Sequence, residues 1–198
     1  MKRICVFCGS GYGSRTEYMN TARELGIILA KEKIGLVYGG ARVGLMGEIA
    51  KAVFGVGGEV IGVISKDLAE REVAFTDLAD LRIVDSLHER KALMAELSDG
   101  FIALPGGLGT IGEFFEMLTW AQLGIHTKPC GLLNVEGYYA RLLAFLDHTV
   151  DHKFVEHEHR NMIVIDDNPV QLIEKFKEYK PPKSDKARWA IKMTKNVT

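Results

Sequence analysis

At 198 residues the chain has the length of one domain and is large enough to bury a core without disulfide or metal staples. Its 47% hydrophobic and 26% charged residues, with 21 glycines, exclude disordered and collagen-like classes. The 25 basic against 26 acidic residues leave a net charge of −1, so the global positive field that draws a protein to nucleic acid is missing. Around a Pro181-Pro182 break, the stretch 180–198 gathers six basic residues and one acid. It reads as a basic tail, expected to be disordered, on a domain of residues 1–179. No run approaches the roughly 18 apolar residues of a membrane span, and the apolar start at Ile4 to Phe7 is too short for a signal-peptide core. No membrane partner is expected, and the expected location is cytoplasmic.

Short apolar runs bounded by glycine alternate with longer segments of helical period, the pattern of a mostly parallel sheet covered on both faces. The fold class is therefore α/β, a doubly wound, Rossmann-like single domain. Strands are expected at Ile4 to Cys8, Ile34 to Tyr38, Glu59 to Ile64, Leu81 to Val84, Phe101 to Leu104, Cys130 to Leu133 and Met162 to Ile165. The first helix carries Met19, Ala22, Leu25 and Leu29 at helical spacing, with Ser14 and Glu17 as a capping box. Further helices are expected from about Leu45, Leu87, Ile111, Tyr138 and Val170. In such sheets ligands bind beyond the carboxyl ends of the strands, near the point where strand order reverses.

Three cysteines fit a reducing compartment. Cys5 and Cys8 form C-x-x-C, but in a strand-like run rather than at a helix start, and without the second pair a zinc site needs. His148, His152, His157 and His159 lie in a charged stretch without an H-E-x-x-H pattern and read as a solvated helix end. No metal and no cofactor are expected.

Three strand ends open into glycine-rich turns, each before an expected helix: Gly9-Ser10-Gly11-Tyr12-Gly13, Gly39-Gly40-Ala41-Arg42-Val43-Gly44, and Pro105-Gly106-Gly107-Leu108-Gly109-Thr110. Glycine lets backbone N–H groups approach an anion, and a helix N-terminus adds unpaired donors and a favourable dipole. Gly9, Ser10, Gly39, Gly40 and Gly106 are thus phosphate-cradle candidates. Gly107-Leu108-Gly109-Thr110-Ile111-Gly112 matches G-x-G-x-x-G, yet in the fifth β/α unit rather than the first, which disfavours a dinucleotide enzyme. The chain contains neither a G-x-x-x-x-G-K-[ST] loop nor a G-x-S-x-G elbow.

Glu113 closes the third loop. Thr110 and Glu113 have capping-box spacing, and the same geometry aims a carboxylate at whatever binds above the glycines. Glu116 lies one turn further on that face, as a supporting or merely solvated acid. Arg90 shares a helical face with Leu93, Met94 and Leu97. A guanidinium on an apolar face needs an anionic partner, either a protein carboxylate or a ligand phosphate. Lys91 beside it reads as peripheral.

Cys8-Gly9-Ser10, Val37 to Gly40 with Gly44 to Gly47, His88-Glu89-Arg90-Lys91, Pro105 to Glu113, Thr119 to Gly124, Lys128-Pro129 and Gly137-Tyr138-Tyr139 together resemble the LONELY GUY family, the cytokinin riboside 5′-monophosphate phosphoribohydrolases, often labelled lysine decarboxylases. The likeness spans roughly residues 4–165. It implies Arg90 and Glu113 as catalytic residues, and Glu72, Lys91, Gly107, Leu108, Gly109, Thr110, Ile111, Gly112 and Thr119 as positions lining the nucleotide site. It also implies a homodimer or higher oligomer. Two positions depart from the pattern: Ala41 replaces a frequent third glycine, and Gly112 a frequent acid.

The implied activity is hydrolysis of the N-glycosidic bond of an adenine-type nucleoside 5′-monophosphate, N6-modified or plain, giving free base and ribose 5-phosphate. Glu113 would face the positive charge that develops on the sugar. Arg90, which releases no proton at accessible pH, would hold phosphate or ribose oxygens. The competing reading is a non-catalytic nucleotide or molybdenum-cofactor carrier built on the same loops.

Overall fold

The computed structural model describes residues 1–71 and 74–182. Seven strands, β1 (Arg3–Phe7), β2 (Gly35–Tyr38), β3 (Val60–Ser65), β4 (Asp80–Val84), β5 (Gly100–Ala103), β6 (Cys130–Leu133) and β7 (Ile163–Asp166), form one sheet. All pairs are parallel, in the order β4-β3-β2-β1-β5-β6-β7. The apolar runs place each strand within a residue of expectation, because both faces of a central parallel strand are covered and leave no room for alternation. β2, β3, β5 and β6 are buried along their whole length, whereas the edge strands β4 and β7 are half-exposed.

On one face lie α1 (Thr16–Lys31), α2 (Gly44–Gly55) and α8 (Pro169–Glu178), packing Leu25, Leu29, Ile49, Val53, Leu172 and Phe176 against the sheet. On the other lie α4 (Leu87–Leu97), α5 (Leu108–Gln122) and α6 (Ala140–Asp151), with Met94, Phe114 and Met117 in a second core. Each such side chain contributes about 1.5–3 kcal/mol when fully buried. Two short helices, α3 (Lys66–Arg71) and α7 (His157–Arg160), escape the periodicity argument because neither is long enough to show a repeat. Among the described residues no helix is long and apolar enough to cross a membrane.

Two local expectations fail. The Ser14–Glu17 box does not form: α1 starts at Thr16 with Arg15 in the N-cap position and no side-chain cap, while Arg15 is tied to Glu136 at 3.0 Å. His159 is not solvated with its neighbours but buried, because α7 folds back on α6 and lays it beside Glu156. The capping arrangement that does form is at α4, where Ser86 Oγ accepts from the Glu89 N–H at 3.1 Å and the Glu89 carboxylate accepts from the Asp85 N–H at 2.9 Å. This fixes the turn that carries Arg90. Of the basic tail, residues 183–198 lie outside the described residues.

Cys5 and Cys8 pack into opposite cores, as residues three apart on a strand must, so they cannot share a ligand. Burial raises all three thiols: Cys130 is pushed up to about 12, and Cys5 and Cys8 also feel the Glu113 carboxylate. A thiol without thiolate character is inert. The folded protein at pH 8 is therefore expected to give almost no titre with an aromatic disulfide reagent, and all three cysteines only after unfolding. Rapid native modification of Cys8 would contradict this packing.

Candidate active site

Strand order reverses between β1 and β5, which pair side by side although 92 residues of chain separate the end of one from the start of the other. The loops leaving their carboxyl ends must diverge to opposite faces, and a crevice opens between them. The first and third glycine loops pack on each other there: the Gly9 N–H donates to the Pro105 carbonyl at 3.0 Å. The second closes in beside them, with the Leu45 N–H shared between the Gly9 and Gly11 carbonyls at 3.0 and 3.3 Å. Gly44 makes this possible, since its φ of +58° is left-handed and a Cβ there would lie 2.2 Å from the Ser10 carbonyl.

A cleft of about 580 Å³ occupies the crevice. The N-terminus of α5 forms one wall, through Gly107, Leu108, Gly109 and Thr110. Its N-cap is Gly107, without a side-chain cap, and the first intrahelical bond runs from the Ile111 N–H to the Gly107 carbonyl at 3.1 Å. The N–H groups of Leu108, Gly109 and Thr110 thus precede the helix ladder, at the positive end of the dipole. Gly9 and Ser10 also line this cleft.

Arg90 and Glu113 meet at the floor. Arg90 Nη1 donates to Glu113 Oε1 at 2.5 Å, and Arg90 Nε to the Val63 carbonyl at 2.9 Å. The guanidinium side chain is 8% exposed and the carboxylate 19%. Of the two anionic partners weighed for Arg90, the structure shows the protein carboxylate, and the pair itself lines the cleft. Thr110 and Glu113 do not form a capping box: Thr110 is three residues inside the helix and the carboxylate is taken by Arg90. Glu113 Oε2 has no hydrogen-bond partner among the described residues. One turn along α5, Lys91 Nζ donates to Glu116 Oε2 at 2.5 Å, so neither of these side chains is simply solvated.

Of the residues expected at the site, Gly9, Ser10, Arg90, Lys91, Gly107, Leu108, Gly109, Thr110, Gly112 and Glu113 line one cleft, and Gly106 packs beneath it against Thr110 and Gly9. Ile111 turns into the core and Thr119 donates to the Phe115 carbonyl away from the cleft. Glu72 lies outside the described residues. Gly39 and Gly40, expected in a phosphate cradle, are buried and do not line the cleft. Gly39 instead leaves room for Arg90, whose Nη2 would stand 2.5 Å from a Cβ at that position. Gly40 is packed on Ile64 and gives its carbonyl to the Phe75 N–H. The cleft also has an apolar side of Cys8, Met46, Leu68 and Leu87, which motif reading did not single out. Leu87 at 53% exposure is the one with a local signal, a large apolar residue opening a helix next to a charged run.

A family model described as "Possible lysine decarboxylase" matches residues 46–176. The chain is 51% identical to the cytokinin riboside 5′-monophosphate phosphoribohydrolase LOG1 of Arabidopsis thaliana, over 91% of this chain and 84% of that protein. It is 52% identical to a probable enzyme of the same name from Oryza sativa subsp. japonica, over 91% and 79%. Among solved structures it resembles the molybdenum cofactor binding protein of Rippkaea orientalis, with TM-score 0.68 and 25% identity over 90% of this chain and 97% of that one. It also resembles the molybdenum cofactor carrier protein of Chlamydomonas reinhardtii, with TM-score 0.68 and 21% identity over 89% and 96%, a likeness of fold alone.

The Gly39 contact generates a test. Gly39→Ala is expected to destabilise the protein by about 1–3 kcal/mol, the usual range for overpacking, read from denaturant midpoints. In an Arg90→Ala background the same substitution should cost clearly less, since the atom it collides with is gone. Equal costs in both backgrounds would show that Gly39 does not serve Arg90.

Proposed function

The chain belongs to the LONELY GUY family of cytokinin riboside 5′-monophosphate phosphoribohydrolases, and from that premise we propose that it hydrolyses the N-glycosidic bond of adenine-type nucleoside 5′-monophosphates. The products are the free base and ribose 5-phosphate. The observation that carries this reading is the Arg90–Glu113 pair in the same cleft as the uncapped N-terminus of α5.

The cleft divides by chemistry. The 5′-phosphate belongs at the α5 N-terminus, against the N–H groups of Leu108, Gly109 and Thr110 and near Ser10. The flat base belongs on the apolar side formed by Met46, Leu68 and Leu87. The sugar then crosses the Glu113 carboxylate. As the C1′–N bond breaks, its electrons pass to the base nitrogen and positive charge develops on the ribose. Glu113 Oε2 faces that charge and accepts a proton from the water whose oxygen bonds to C1′; that proton finally resides on the released base. Arg90 cannot supply a proton. Held by Val63 and bonded to Oε1, it positions the carboxylate so that Oε2 points to the substrate.

A carrier would use the same backbone cradle, but binding alone gives no reason to set a carboxylate beside it. Sequence relatives near 50% identity are named as hydrolases, whereas the cofactor-binding proteins are related at 25% and 21%. Decarboxylation of an amino acid through pyridoxal phosphate needs a lysine free to form a Schiff base. The lysine in this cleft, Lys91, is paired with Glu116. The three free cysteines support a cytoplasmic location.

We also propose that the protein is at least a dimer, supported by large apolar side chains left in solvent: Leu108 at the cleft lip is 90% exposed, Phe154 80%, Ile125 64% and Phe145 60%. Sedimentation equilibrium at micromolar concentration should return twice the chain mass or more, and a monomer would overturn this.

The reaction is tested by product analysis. Incubation with AMP and isopentenyl-AMP should release free base and ribose 5-phosphate in equal amounts. Glu113→Gln keeps an oxygen for Arg90 to bond and should fold, yet lose at least about 100-fold in kcat, roughly 2.7 kcal/mol of transition-state stabilisation. Near-normal turnover by the folded variant would refute the role given to Glu113.

A further inference from the structure

The last turn of α6 is closed by its own backbone. Lys153 stands in the left-handed region at φ +61°, its N–H donates to the Val150 carbonyl at 2.9 Å, and the Phe154 N–H donates to the Thr149 carbonyl at 2.9 Å. These two bonds satisfy carbonyls that a helix C-terminus otherwise leaves open. Asp147 in the same turn accepts from Arg160 of α7 at 2.8 Å. Side chains on this turn therefore keep a set relation to one another. Two of them are His148 and His152, four positions apart and so neighbours on one helical face. Their ring centroids lie 4.2 Å apart with the planes at 52°. Both residues are exposed, and neither ring has a hydrogen-bond or ion-pair partner among the described residues. The fold separates the other histidines of this stretch from the pair, since His159 is buried and His157 lies on α7. Packing supplies no reason to bring the two rings together: they bury little surface, and protonated imidazoles side by side repel.

We propose that His148 and His152 form a two-ligand site for a divalent transition-metal ion. Imidazoles at i and i+4 on a helix reach one ion together, the spacing that brings both histidines of an H-E-x-x-H segment onto one zinc. With metal–nitrogen bonds of about 2.0–2.1 Å, two such rings hold their centroids roughly 4.5–5 Å apart, so these exposed side chains need to part by less than about 1 Å. A cation there also meets the negative end of the α6 dipole. Imidazole nitrogen selects copper, nickel or zinc over magnesium or calcium, and copper is bound most tightly. Among the described residues no group of three or more histidine, cysteine or acidic side chains is placed to hold a metal ion. The protein's share is thus the two imidazoles, and water fills the remaining positions on the ion. Neither histidine lines the catalytic cleft, so the site stands independently of the hydrolase reading.

The test titrates the full chain by calorimetry with Cu²⁺, Ni²⁺ or Mg²⁺ alone, at pH 8 because a coordinating imidazole is neutral. Cu²⁺ should bind more tightly than Ni²⁺, and Mg²⁺ should give no heat of binding. His148→Ala and His152→Ala should each weaken Cu²⁺ binding at least about tenfold, because the second imidazole of a chelate acts at high effective concentration. His157→Ala, which removes an exposed histidine outside the pair, should leave the affinity within twofold of the parent. The substituted side chains are exposed, so the variants should keep the parent Tm in the absence of metal. Saturating Ni²⁺ should raise Tm of the parent and leave that of the His148→Ala/His152→Ala double variant in place. Electron paramagnetic resonance of the bound Cu²⁺ should show coupling to two imidazole nitrogens. Coupling to a single nitrogen, or Cu²⁺ affinity of the double variant within twofold of the parent, would overturn the proposal.

Discussion

The ion pair between Arg90 and Glu113 is the constraint on which the site depends. It joins α4 to α5 across the floor of the cleft, and through the Arg90 Nε bond to Val63 it anchors both helices to β3. A buried pair of this kind gives little net stability, because the desolvation of both charges offsets their attraction, while loss of one partner leaves the other uncompensated. Its value lies in geometry. One carboxylate oxygen is fixed by the guanidinium, and the other has no hydrogen-bond partner among the described residues. The Ser86 cap at the start of α4 and the space left by Gly39 both serve to hold the arginine in that position.

Glycine recurs around the cleft for physically different reasons. Gly44 supplies a left-handed turn where the second loop touches the first, Gly39 supplies space for a guanidinium, and Gly107 leaves a helix N-terminus uncapped. These roles are indistinguishable as letters in a chain. They separate only once the neighbours across the switch point are known, because every decisive contact joins segments far apart in sequence. For that reason the second loop reads in sequence as a third phosphate cradle, although its glycines are buried under Arg90 and against β3.

The strands were readable because burial on both faces writes itself as an unbroken apolar run. Helices long enough to repeat their pattern, such as α1 and α8, were equally plain, while α3 and α7 were too short. For the site, the third loop and Arg90 announced themselves locally, by glycine spacing and by a charge on an apolar helical face. Their pairing did not, since they stand 23 positions apart with a strand between them. The apolar side formed by Met46, Leu68 and Leu87 left no motif, because ordinary core residues have the same composition. The fold is shared with molybdenum cofactor proteins, so architecture alone does not choose between turnover and carriage. That choice rests on the side chains set into the switch point.

If Arg90 acts by positioning Glu113, the two residues form one functional unit, and a double-mutant cycle on kcat is the most direct measurement of that claim. Arg90→Met and Glu113→Gln are compared singly and together, with folding of each variant checked by its melting transition. The account predicts strong non-additivity: the double variant should be little worse than Glu113→Gln alone, because an arginine has nothing left to position once the carboxylate is gone. Losses in kcat that multiply, so that the double variant falls by the product of the single effects, would show that the two residues act independently and would contradict the account.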